Sequence, residues 1–92
     1  MTPLERSDKP RLPRGVKLRH DDVRQRWTLL APERIFEIDA TAAAVLQLCD
    51  GERDLAGIVA ELATRFNAPP EMIEKDVVAM LGDLKAKRVL ET

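Results

Sequence analysis

The 92-residue sequence contains no tyrosine, one cysteine and one histidine, and these scarcities exclude several classes of protein. The single Cys49 cannot form an intrachain disulfide, and Cys49 with His20 cannot supply the four ligands of a structural zinc site. No apolar run approaches the ~18–20 residues that span a bilayer. The charged N-terminal segment lacks the apolar core of a secretory signal, so we expect a cytoplasmic protein with no membrane partner.

Groups suited to catalysis are equally scarce. A chain of this length buries roughly 60–65% of its unfolded surface, which leaves little room for an enclosed substrate cavity. Cys49 falls on a helix face with Ala, Val and Leu, as is typical of a small buried hydrophobe, and His20 has no orienting partner in the sequence. The carboxylates at 21–22 and 50–54 lack the spacing of a calcium loop. We therefore predict no enzyme activity, no cofactor and no metal site.

Apolar periodicity predicts a single domain over residues 16–92, preceded by a flexible arm over residues 1–15 that is rich in proline and charge. A period of two predicts strands at 16–20, 25–31 and 34–38. The period then becomes 3.6, and Asp39 and Asp54 are suited to cap the first two helices, while Pro70 is suited to the first turn of a third. The predicted inner faces carry Ala42, Val45, Leu46 and Cys49, then Leu55, Ile58, Val59, Leu62, Ala63 and Phe66, then Ile73, Val77, Met80, Leu81 and Leu84. Val89 and Leu90 are expected to fold back onto the core.

This β-β-β-α-α-α order predicts an α+β fold, a small winged-helix-like domain in which a three-stranded antiparallel sheet is followed by a three-helix bundle. Winged helices often bind nucleic acid, which is the alternative function. Residues 1–34 carry nine Lys/Arg and five Asp/Glu, whereas residues 35–92 carry six and eleven. The helical half would therefore repel phosphates, and we expect no nucleic-acid partner.

A three-stranded sheet in so small a protein must expose an edge, and an exposed edge can bind an extended peptide as an additional strand. The third predicted strand lies beside the third helix in this arrangement, and Met80 would give the groove between them an adaptable lining. An exposed edge can also pair with a second copy of the chain. We expect a monomer in function, with a dimer through the edge or a swapped element left open. The alternating Arg and Lys of the first strands fit either a solvated face or a docking surface for an acidic partner.

Several segments, in order, resemble the PqqD family of pyrroloquinoline quinone (PQQ) biosynthesis. They are Pro13-Arg14-Gly15-Val16-Lys17-Leu18, Leu29-Leu30-Ala31-Pro32-Glu33-Arg34, Leu46-Gln47-Leu48-Cys49-Asp50-Gly51, Ile58-Val59-Ala60, Glu74-Lys75-Asp76-Val77 and Leu84-Lys85-Ala86-Lys87-Arg88-Val89-Leu90. The similarity covers roughly residues 11–91. Pro69 stands where family members often have a polar cap, and Asp54 where many have Thr.

The resemblance implies a peptide chaperone, a stand-alone recognition element for ribosomally synthesised and post-translationally modified peptides (RiPPs). Such proteins bind the precursor peptide PqqA and present it to PqqE, a radical S-adenosylmethionine enzyme that cross-links a Glu and a Tyr of the peptide. Related recognition elements take the peptide as an extra strand between the third strand and the third helix. Carried over to this sequence, the expected peptide-binding residues are Arg34, Ile35, Phe36, Glu37, Ile38, Val77, Met80, Leu81, Leu84 and Lys85.

Overall fold

Three antiparallel strands form the first half of the computed structural model, which describes residues 4–92. They are β1 (Lys17–Asp21), β2 (Arg26–Ala31) and β3 (Arg34–Ile38), in the order β1-β2-β3. Leu29 of β2 lies opposite Leu18 of β1 and Phe36 of β3, and its side chain is fully buried. Because side chains alternate along a strand, this register gives the sheet one face that packs on the core and leaves β3 at an edge.

Three helices follow: α1 (Ala40–Gln47), α2 (Leu55–Phe66) and α3 (Pro70–Ala86). Both predicted aspartate caps are present, since the Ala42 amide donates to Asp39 Oδ1 at 2.7 Å and the Gly57 amide donates to Asp54 Oδ1 at 2.8 Å. At the N-cap position of α3 stands Pro69, whose side chain has no donor or acceptor to offer. Pro70 takes the first turn, where a missing N–H has little cost. The predicted α+β fold is confirmed.

Left-handed residues end α2 and α3 and set the path of the chain beyond each helix. Asn67 has φ of 51° and Arg88 has φ of 65°. The next amides reach back along each helix, Ala68 to the Ala63 carbonyl and Val89 to the Leu84 carbonyl, in the pattern of a Schellman motif. The turn at Arg88 buries Val89 and Leu90, as predicted.

The core lies between the inner face of the sheet and the three helices. No polar or charged residue is buried anywhere in residues 4–92. The inner face of α1 differs from the prediction by one position, because Ala43 is buried while Ala42 is only half-buried. Phe66, which we placed on the inner face of α2, is 43% exposed, because it lies at the last turn of α2 and borders an opening between the helices. The buried apolar side chains of the central cluster are Val16, Leu29, Val45, Leu46, Leu48, Cys49, Leu55, Ile58, Val59, Leu62, Val77, Leu81, Leu84, Val89 and Leu90.

The segment that we expected to be a flexible arm is docked where the structure describes it; residues 1–3 of the predicted arm lie outside the described residues. Arg11 pairs with Glu91 through two backbone hydrogen bonds of 2.8 and 2.9 Å. The carbonyls of Arg6 and Asp8 accept hydrogen bonds from the amides of Ala56 and Leu55, respectively, which are the first two residues of α2. These amides have no partner within a helix, so the arm completes the capping of α2. Leu4 and Leu12 pack against the core.

Candidate functional site

The edge strand β3 and helix α3 border a groove, which we call the β3–α3 groove. At one end, Arg34 of β3 donates from Nη2 to the carbonyl of Lys87, just after α3, at 2.7 Å. At the other end, Thr41 of α1 lies close to Ile73 and Met80 of α3. Strand and helix thus run in opposite senses on the two sides of the groove. Within residues 4–92, β3 pairs with β2 alone, so every second residue of β3 directs its N–H and C=O away from the sheet.

An apolar cleft lies between α1, α2 and α3, next to the Thr41 end of this groove, and no residue of β3 lines it. Its volume is about 80 Å³, which is large enough for a small side chain but not for a cofactor. Most of its lining is aliphatic or aromatic, and Asp76 is its one ionisable residue. The lining residues are Thr41, Val45, Leu62, Phe66, Ile73, Asp76, Val77 and Met80.

The five expected residues of β3 divide between the two faces of the sheet. Phe36 and Ile38 are half-buried and pack against the core cluster, so their exposed portions border the groove. Ile35 and Glu37 alternate to the opposite, outer face, where Ile35 is 71% exposed and Glu37 pairs with Arg26 of β2 at 3.2 Å. Their side chains therefore point away from the groove, although their backbone belongs to the strand edge.

The five expected residues of α3 differ in burial. Val77, Leu81 and Leu84 are buried, and Leu81 has no exposed surface. Met80 and Lys85 are half-buried, and Met80 lines the apolar cleft. A ligand in the groove can contact Met80 directly, whereas it can reach Leu81 only by displacing the core.

Residues that we did not single out from the sequence complete the groove. Phe66 and Ile73 contribute apolar surface, and Asp76 contributes a negative charge. At the Arg34 end, the carbonyl of Lys87 accepts a hydrogen bond from Arg34. Phe66 and Ile73 were assigned to the core because they continue the helical apolar pattern. That pattern does not distinguish a fully buried position from one that borders an opening between helices.

At the Arg34 end of the groove, two cations lie over the same aromatic ring. The Arg34 guanidinium carbon is 5.5 Å from the centre of the Phe36 ring, and Lys87 Nζ is 5.8 Å from it. Lys87 Nζ also lies 2.9 Å from Asp83 Oδ2. The groove is therefore basic at the Arg34 end and acidic, through Asp76, at the Thr41 end.

Neither Cys49 nor His20 lines the apolar cleft, and His20 on β1 has the orienting partner that we did not expect, since its Nδ1 lies 2.7 Å from Asp22 Oδ1. Burial, helped by neighbouring Asp50, raises the pKa of the Cys49 thiol to about 12, so this thiol is protonated and unreactive near neutral pH. Among residues 4–92, no three His, Cys, Asp or Glu side chains are grouped to hold a metal ion. The helices of the same residues include none that is both long enough and apolar enough to cross a bilayer.

A larger and more open depression lies between the arm and α3, with a volume of about 830 Å³. Its lining includes Leu4 and Arg6 of the arm, Leu55 of α2, and Glu74 and Val78 of α3, but no residue of the sheet. We attribute this depression to the docking of the arm, because Arg6 Nε is bonded to Glu74 Oε1 across it at 2.7 Å.

The profile of the PqqD family, described as coenzyme PQQ synthesis protein D, matches residues 26–90, which include β2, β3 and all three helices. This chain belongs to the PqqD family. A PqqA binding protein of Rhodopseudomonas palustris strain TIE-1 is 48% identical over 95% of this chain and 85% of its own length. A bifunctional coenzyme PQQ synthesis protein C/D of Methylorubrum extorquens is 50% identical over 98% of this chain, which spans 24% of that longer protein.

Solved structures of PqqD proteins share the fold. The NMR structure of the PqqD truncation of Methylobacterium extorquens PqqCD, described as a functional and stand-alone RiPP recognition element, has a TM-score of 0.85 and 49% identity, with 97% of this chain and 95% of that chain covered. The crystal structure of PqqD from Xanthomonas campestris has a TM-score of 0.62 and 43% identity, with 97% and 99% covered. PqqD is a family of recognition elements and not of catalysts, which confirms the prediction that the chain is not an enzyme.

Proposed function

We propose that this chain binds the precursor peptide PqqA as an additional strand on the free edge of β3 and presents it to the radical S-adenosylmethionine enzyme PqqE. The names of the relatives support the first part, since proteins 48% identical to this chain are PqqA binding proteins. In this proposal the working form is the monomer, because a second copy paired with β3 would occupy the same edge.

The observation that carries the proposal is the combination of an edge strand with an apolar groove beside it. Backbone hydrogen bonds to β3 would each contribute roughly 0.5–1.5 kcal/mol net. Alternate peptide side chains would bury the exposed parts of Phe36, Ile38 and Met80, which are half-buried without a ligand, at about 25 cal/mol per Å² of apolar surface. Backbone pairing supplies affinity, and the pockets for alternate side chains supply selectivity.

Presentation requires that much of the bound peptide stay accessible. The five residues of β3 span about 17 Å at 3.3–3.4 Å per residue, so they can pair with only about five peptide residues. The remainder of a longer precursor would extend beyond the groove, where an enzyme can reach it. A chain whose one thiol is unreactive suits a protein that delivers a substrate and leaves the chemistry to its partner.

Substitution of Met80 tests the proposal at the groove. Met80→Lys places a charge in the apolar cleft, and we expect PqqA affinity to fall about tenfold or more in calorimetric titration. The matched control is Met72→Lys on the same helix, because Met72 is 60% exposed and lies outside the cleft lining. Its affinity should match that of the wild-type chain.

Two further readouts locate the complex and test presentation. In the isotope-labelled chain, PqqA should shift the amide resonances of residues 34–38 and of residues 73–87. Cross-linked PqqA produced by PqqE, measured by mass spectrometry, should increase with the wild-type chain and much less with Met80→Lys. Shifts confined to residues 4–12, or equal affinity for the two methionine variants, would contradict the groove as the binding site.

A further inference from the structure

The charges at the two ends of the β3–α3 groove restrict which peptide can occupy it and in which position. We infer that the Arg34 end binds an acidic side chain of the bound peptide, with Arg34 as the residue that selects it. This inference rests on the proposed function and adds a charge requirement to it.

Arg34 is held in place for such a contact. Its side chain donates to the Lys87 carbonyl at 2.7 Å and lies over the Phe36 ring at cation–π distance, so two contacts hold it in place before any ligand binds. A guanidinium has five N–H donors, and this hydrogen bond uses one of them. A carboxylate can therefore be bound in the bidentate geometry that arginine favours.

Arg34 takes part in none of the ion pairs found within residues 4–92. Asp83 pairs with Lys87, Glu37 pairs with Arg26 on the outer face of the sheet, and Glu91 pairs with Arg11. Since Lys87 is balanced by Asp83, Arg34 contributes a positive charge at this end of the groove that a ligand can neutralise. The exposed position of Arg34 means that a ligand can reach it without unfolding.

The Thr41 end of the groove carries the opposite charge. Its distance from the Arg34 end sets the spacing between the charged residues of a matching peptide. Asp76 lines the apolar cleft, and it is eleven positions before Lys87 in the sequence. At about 1.5 Å per helical residue this separation is roughly 16 Å, which an extended peptide covers in about five residues. A peptide with a basic residue four to six positions from its acidic residue would match both ends, and the reversed arrangement would place like charges together.

Calorimetric titration with PqqA tests the inference through paired variants of the full chain. Arg34→Gln should weaken PqqA binding about tenfold and reduce its dependence on salt. Arg24→Gln removes another exposed arginine, from the loop between β1 and β2, and should leave the affinity within twofold of wild type. Lys87→Gln retains the carbonyl that holds Arg34, and its loss should be smaller than that of Arg34→Gln.

Variant peptides identify the bound carboxylate. When each Glu or Asp of PqqA is replaced in turn by Gln or Asn, one replacement should lose about as much affinity as Arg34→Gln, and the two losses should not add. Additive losses at every position, or full affinity in a folded Arg34→Gln chain, would overturn the inference while PqqA binding itself stands. If PqqA does not bind the wild-type chain at all, the proposed function fails and this inference fails with it.

Discussion

Arg88 adopts a conformation that arginine seldom takes, and its neighbours show why. Its φ of 65° lies in the left-handed region, which costs a residue with a Cβ roughly 1–2 kcal/mol. The chain tolerates that cost because the turn places Val89 and Leu90 in the core, where they are 0% and 3% exposed. Burial of two aliphatic side chains stabilises the fold by several times the local cost.

Glycine at this position should therefore increase stability. We expect Arg88→Gly to raise the free energy of unfolding by about 0.5–1 kcal/mol, because glycine adopts positive φ without the steric cost. Urea denaturation followed by circular dichroism measures the change. Lys75→Gly, in the middle of α3 and also exposed, should have the opposite sign and lower stability by about 1 kcal/mol. A loss of stability in both variants would show that Arg88 is not strained.

At the scale of elements, the N-terminal arm connects α2 with α3. It ties the beginning of α2 to α3 through the carbonyls of Arg6 and Asp8 and through the Arg6–Glu74 ion pair. The hydrogen bond with Arg6 lowers the pKa of Glu74. A carboxyl with a lowered pKa in the folded state stabilises that state above its unfolded pKa, and this contribution is lost as the pH falls through the lowered folded value.

Hydrogen exchange measures how firmly the arm is docked, because the exchange rate of each amide is followed separately. In Glu74→Gln, the amides of Leu55 and Ala56 should exchange faster, because their acceptors lie on the arm. The amides of Gly57 and Ile58 are bonded to Asp54 and should be unaffected, which gives a control within the same turn. Wild-type chain should show the same selective loss as the pH falls below the ordinary carboxyl range. Equal acceleration at all four amides would indicate fraying of α2 instead.

At the scale of the whole molecule, adjacent residues of α3 serve different purposes. Leu81 is fully buried in the core, whereas Met80 lines the groove. Leu81→Ala should lower the free energy of unfolding by about 2–5 kcal/mol, since it leaves a cavity among the helices. Met80→Ala should cost less than about 1.5 kcal/mol because its surroundings are already open. Chemical denaturation of both variants checks the difference, and equal losses would place Met80 in the core.

The elements themselves could be predicted from the sequence because each has a local cause. Asp39 and Asp54 are good caps, Pro70 suits a first turn, and the alternation around Leu29 marks a strand with one buried face. The bounds of β3 agree with the prediction at both ends. These signals depend on neighbours within a few residues, so the sequence alone contains them.

The site was predicted less completely because it depends on packing between distant segments. An apolar stripe does not distinguish Leu81 in the core from Met80 at the surface, since both continue the same helical period. The hydrogen bond from Arg34 to the Lys87 carbonyl joins residues fifty-three positions apart, so no local pattern in either segment indicates it. The docked arm was missed for the same reason: its acceptors are backbone carbonyls, which every sequence contains.

Trp27 gives the molecule an internal optical reporter. It is the one tryptophan of a chain without tyrosine, so the tryptophan emission of the chain comes from a single known position. Its partner across the sheet is Ile38, which places it one strand away from the edge proposed for the peptide, and its ring centre lies 4.6 Å from that of His20. Occupation of that edge can therefore be followed by intrinsic fluorescence, without a dye and without altering any residue of the groove.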